Sequence, residues 1–182
     1  MPARNSVIGL ASGLSLLALG GTSDAQQPAP ATDAEYTAKV MTAAPLPICQ
    51  NATIVRTVSG ATQTLKKGTN EYTCMESNNG NAMCLDPNAV EWVQALQTHA
   101  PPPDKVGFIY MLNGDSGGSN TDPWATKPEP DNHWIQTGPH VMIVGPAVKA
   151  MPGYPRTADA DPTKPYVMFA GTPYEHLMLP VK

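Results

Sequence analysis

Apolar and polar positions along this chain alternate in some stretches and cluster in others. Residues 52–75 alternate β-branched and polar side chains around Ser59-Gly60 and Gly68-Thr69-Asn70, the pattern of two or three strands joined by tight turns. Residues 86–99 change to helical spacing. Asp86 is placed as N-cap, Pro87 occupies the first helical position, and Ala89, Val90, Val93 and Leu96 recur on one face that Trp92 widens, until Pro101-Pro102-Pro103 ends the run. The runs 106–113, 140–145 and 166–171 are almost continuously apolar and bounded by turn residues, as buried strands are, and 175–181 adds another. A weak apolar stripe over residues 34–44, with Thr32 and Asp33 before it, predicts a short helix stopped at Pro45.

Strands, one strong helix and further strands predict an α+β domain built on a mainly antiparallel sheet, or one resembling a β-sandwich. No alternating βαβ units occur, and the 20 prolines confine the strands to short runs. Residues 114–131 and 146–165 are long and rich in turn formers, as loops are when they carry function or lack order.

The amino-terminal segment changes the picture of where the chain works. Arg4 precedes the apolar run 7–20, and Ser23-Asp24-Ala25 puts small residues at −3 and −1 of a cleavage site, so residues 1–25 read as a secretory signal peptide. The run covers about 21 Å as a helix, short of the roughly 30 Å of a bilayer core. Residues 26–33 are Pro/Ala-rich and read as a disordered tether, leaving 34–182 as a single globular domain. The net charge of −4 offers no basic stripe for phosphates, so nucleic acid is excluded as a partner, and no later stretch is apolar enough to span a membrane after processing. A periplasmic or extracellular protein that meets a small molecule, a metal ion or another envelope protein is the expectation.

In an oxidising compartment two of the three cysteines pair. Cys74 and Cys84 are the expected pair, because the polar, Gly/Asn-rich residues between them can turn the chain back; Cys49 is then a buried apolar residue or a reactive thiol.

Several phrases stand in a recognisable order: Gly68-Thr69-Asn70-Glu71-Tyr72-Thr73-Cys74, Met83-Cys84-Leu85-Asp86, Tyr110-Met111-Leu112, Thr121-Asp122-Pro123, Gly138-Pro139-His140-Val141-Met142 and Gly171-Thr172-Pro173-Tyr174-Glu175-His176-Leu177-Met178. Together, over residues 40–181, they resemble a family of exported bacterial proteins. In that family a cysteine follows the G-T-N turn and a second follows at similar spacing, which matches Cys74 and Cys84. Tyr72 stands where tryptophan is expected, and Cys49 has no counterpart. The resemblance implies a bacterial envelope protein and brings no activity with it.

Four groups of residues carry candidate chemistry. Gly114-Asp115-Ser116-Gly117-Gly118 copies the nucleophile loop of trypsin-like proteases, but the only upstream histidine is His99 and the chain is too short for two barrels. Asp115, Asn120 and Asp122 offer oxygen atoms to calcium without EF-hand spacing; turn aspartates bonding their own backbone are the ordinary reading. Asp131 with His133, and Glu175 beside His176, are raw material for acid–base work in a small hydrolase or isomerase, although consecutive strand residues point to opposite faces. The sharpest signal is two H-x-M pairs, His140 with Met142 and His176 with Met178. Each falls on an expected strand, where i and i+2 share a face, and imidazole beside thioether suits copper, Cu(I) above all. The plain alternative is a core histidine bonded to a carbonyl, in a structural protein or a non-catalytic binding domain.

Overall fold

A computed structural model describes residue 1 and residues 31–181. The signal peptide and most of the tether therefore lie outside the described residues, as does Lys182. Thr32 caps the first helix, α1 (Asp33–Val40), through a reciprocal capping box with Glu35, so ordered structure begins inside the stretch expected as tether. That helix ends before Pro45, and Pro45 instead caps a second short helix, α2 (Leu46–Cys49). Proline tolerates the first turn of a helix because the missing N–H has no intrahelical partner there.

The strands are β1 (Thr53–Val58), β2 (Ala61–Lys66), β3 (Thr73–Glu76), β4 (Ala82–Leu85), β5 (Gly107–Met111), β6 (Gly118–Ser119), β7 (Trp134–Ile135), β8 (His140–Val144), β9 (Tyr166–Met168) and β10 (His176–Pro180), with α3 (Pro87–Gln97) between β4 and β5 and a 3-10 turn, η1 (Pro146–Ala150), after β8. Eight of them form one sheet in the order β2-β1-β3-β4-β5-β8-β10-β9, while β6 and β7 make a two-stranded ribbon. The expected α+β class holds. The sheet is mixed, because β1 and β3 pair in parallel while the other neighbours are antiparallel. The first long loop contains β6 and leads into its partner β7, and the second begins with η1.

Ser59 and Gly60, with φ of 50° and 81°, close the β1–β2 hairpin as a two-residue turn of positive φ. Cys74 and Cys84 stand opposite each other on β3 and β4 and are joined by a disulfide; the segment between them is partly strand, since both strands run on to Glu76 and Ala82 before turning. Cys49 is free and buried, its thiol directed at the carbonyl of Leu46.

Both faces of the sheet are covered. On one, α1 and α2 bury Tyr36, Val40 and Cys49 against Ile54, Cys74 and Cys84. The Tyr36 hydroxyl donates to the Val55 carbonyl and accepts from the Glu76 amide, tying α1 to β1 and β3. Farther along the same face, Val148 of η1 packs on Val167 and Leu177. On the other face lies the largest core, where Ala89 and Trp92 of α3 meet Met83, Leu85, Ile109, Met111, Val144, Tyr166 and Met178. Asp86 caps α3 by accepting from the Ala89 amide. The helix sits unusually close to β5: a Cβ on Gly107 would fall 2.5 Å from the Ala89 nitrogen, so only glycine permits the approach.

Candidate functional site

The face under α3 carries the chemistry. A cavity of about 390 Å3 opens between the sheet, α3 and the loop that follows β5, and His140, Met142, His176 and Met178 all line it. The two H-x-M strands are neighbours. Met142 and Met178 are register partners across β8 and β10, so each histidine lies two residues from that central pair and at opposite ends of it.

The pairing extends outward in the same way on both sides. His140 stands opposite Met111 of β5, and His176 stands opposite Met168 of β9. Rotation by half a turn about the midpoint of Met142 and Met178 carries β8 onto β10 and β5 onto β9, and with them His140 onto His176 and Met111 onto Met168. Two imidazoles and four thioethers thus occupy one face of four adjacent strands, and all six line the cavity. Neither Met111 nor Met168 is recognisable as a candidate ligand in the sequence. Both lie in continuously apolar runs, where a methionine looks like any gap-filling core residue.

Both histidines are buried, and both use Nδ1 identically: His140 toward the Gly138 carbonyl at 2.7 Å and His176 toward the Tyr174 carbonyl at 3.1 Å. A carbonyl only accepts, so the ring donates from Nδ1 and the neutral ring keeps a lone pair on Nε2. This meets the plain expectation for a core histidine and is equally the arrangement that orients metal-binding imidazoles. At His140, Nε2 is buried with no hydrogen-bond partner. Burial holds the pKa of His140 below the ordinary value, against the pull of the Gly138 carbonyl and the Asp115 charge. Burial pushes His176 down further, to about 4. The Trp92 and Phe169 rings flank it at steep angles of 71°, with centroids 5.3 and 5.1 Å away.

Polar groups at the cavity are few. Asp115 lines it, and burial raises its pKa despite amide donors from Gly117 and Thr137 and the nearby His140. The Nε1–H of Trp92 is a second buried group without a partner. Trp124, from the long loop, closes the α3 side: it stacks on His99 at 4.4 Å and donates from Nε1 to the Leu96 carbonyl.

The other candidates separate. Ser116 is exposed, and its amide donates to Asn81, while the Asp115 carboxylate serves the backbone of its own turn. Asp122 likewise accepts from the Trp124 amide, and Asn120 donates to the Thr157 and Ala158 carbonyls. His133 pairs with Asp159 at 2.7 Å, and not with Asp131; the pair lines a second cavity of about 450 Å3, away from the α3 face, with the Asp159 carboxylate open to solvent. Glu175 is buried and accepts from the Gly171 amide. The hydrogen bonds of His140 and His176 go to carbonyl oxygens, so neither is paired with a carboxylate as an acid–base dyad requires.

Comparison with protein-family models, with curated proteins and with solved structures finds no match. Among the described residues no three His, Cys, Asp or Glu side chains gather as a ligand set, and no helix is long and apolar enough to cross a membrane. A metal at this face would draw on thioether sulfur, which narrows the choice to soft ions.

Proposed function

We propose that this chain is an exported, non-catalytic binding protein of the bacterial envelope, and that its cavity takes a soft metal ion, copper as Cu(I). The observation that carries this reading is the pairing of Met142 with Met178, which puts both H-x-M pairs on one cavity. Thioethers and neutral imidazoles are ligands that suit Cu(I), a soft ion of single charge, whereas zinc and calcium call for thiolates, carboxylates or several imidazoles. Burial keeps the imidazoles neutral, so the metal does not compete with a proton near neutral pH. The disulfide fits an oxidising location, and the resemblance to exported bacterial proteins points the same way.

The test is a thermal shift of the protein purified after export, with Cu(I) kept reduced by ascorbate or with Ag(I) as a redox-inert substitute. Stabilisation that disappears in His140→Ala with His176→Ala supports the reading. No stabilisation, or stabilisation unchanged in that variant, sinks it.

A second reading follows from the cavity's size, which exceeds what an ion fills. A small, mostly apolar organic molecule could donate a hydrogen bond to Nε2 of His140 and accept one from Nε1–H of Trp92, two buried groups on this cavity that lack partners. Binding of such a molecule would protect the protein against heat without any added metal.

A further inference from the structure

We infer that the cavity holds two Cu(I) ions, one bound by His140, Met111 and Met142 and the other by His176, Met168 and Met178. The inference rests on the copper reading above and adds a stoichiometry and a ligand set to it.

The register supplies the argument. His140 pairs with Pro180, and His176 lies four residues earlier on that strand, so the two histidines are about 14 Å apart at the backbone. One ion cannot take a short bond from both rings without drawing them together across the central methionines. Within each half the distances are much shorter. The cross-strand partner of each histidine, Met111 or Met168, has its Cα about 4.5 to 5.5 Å away, and the methionine two residues along the same strand about 7 Å away. An imidazole and two thioethers at those three positions stand at the corners of a small triangle over one face of the sheet. One nitrogen and two sulfurs make a three-coordinate set that suits Cu(I).

The hydrogen bonds give each half its own anchor. Gly138 and Tyr174 occupy equivalent positions, two residues before their histidines, and each holds its ring by Nδ1 toward the amino-terminal end of its strand. Each ring is thereby tied on the side away from the Met142 and Met178 pair. The orphaned Nε2 of His140, buried within the cavity wall, is the free ligand atom of one half. Long, unbranched methionine side chains let the sulfurs adjust to an ion while the backbone stays in place.

The experiment titrates the full exported protein with Ag(I) by native mass spectrometry and with Cu(I) against a chromogenic chelator. It compares the unaltered chain with Met111→Leu and Met168→Leu, which preserve side-chain volume. Thermal unfolding without metal checks that both variants fold. Two tightly bound equivalents in the unaltered chain, falling to one in either variant, are the expected result. One equivalent in the unaltered chain overturns the two-ion inference and leaves the copper reading standing, while none overturns both. Two equivalents that persist in both variants overturn the ligand assignment.

Discussion

Met142 and Met178 face each other across β8 and β10, and that one register decides what the two H-x-M pairs can do together. A slip of a single residue would turn one pair to the opposite face of the sheet, against η1, and leave the other alone. The partners are held in register on both sides, by β5 next to β8 and by β9 next to β10.

Replacing both central methionines with leucine is therefore expected to weaken Cu(I) binding by at least about tenfold, ~1.4 kcal/mol, while changing folding stability by less than about 1.5 kcal/mol. Chelator competition and urea unfolding on the same variant measure the two effects separately. A large stability loss with unchanged affinity would assign the pair to packing alone.

Much of this arrangement is legible in the sequence, for a physical reason. The period of two places His140 with Met142 and His176 with Met178 on shared faces, and the apolar runs around them mark buried strands. Asp86 and Pro87 mark the start of α3, and the polar stretch between Cys74 and Cys84 identifies the disulfide pair. What the sequence leaves unread is non-local. Nothing near residue 142 states that its neighbour is residue 178, because η1, a long loop and β9 intervene. Met111 and Met168 acquire meaning only through that pairing. The parallel match of β1 with β3 escapes for the same reason: a short connection between two alternating runs looks like one more hairpin. Thr32 is legible as a cap from its place before the stripe at 34–44, whereas the helix start at Asp33, inside a stretch whose composition suits a tether, is not.

The metal-free protein should lose stability as acidity rises through a defined window. His176 titrates at about 4 when folded and near 6.5 when unfolded, so between those values the unfolded chain binds the proton and the folded chain does not. Stability from this group is complete above pH 6.5 and falls by up to about 3 kcal/mol as the pH drops toward 4. His140, also depressed, adds in the same direction; Asp115, whose folded pKa is raised, opposes it at lower pH. Trp92 and Phe169, which flank His176, carry no charge. Urea unfolding from pH 7 to 4.5 should show the decline, and His176→Gln should flatten it. A level profile in the unaltered protein would contradict the burial of that ring.

Gly107→Ala should destabilise the fold by about 1 to 3 kcal/mol, because the new methyl group meets the backbone of Ala89 and pushes α3 off the sheet. The measurement is the urea midpoint. Since α3 forms one wall of the cavity through Trp92, Val93 and Leu96, metal affinity should fall as well, with no ligand altered.

Removing the disulfide by Cys74→Ser with Cys84→Ser should cost roughly 2 to 3 kcal/mol, the chain entropy released when so short a loop opens. Thiol labelling of the unaltered protein offers a companion check. Cys49 is sealed, so the folded chain should react slowly and the unfolded chain should reveal one thiol. Rapid labelling in the native state would show that the α2 side opens.

The central claim, that this face binds copper through thioether and imidazole together, is tested most directly by X-ray absorption at the copper edge on the Cu(I)-loaded protein. The predicted result is a mixed shell of sulfur and imidazole nitrogen that loses sulfur in Met142→Leu with Met178→Leu. A shell of nitrogen and oxygen alone, or copper that washes away before the spectrum can be taken, would contradict it.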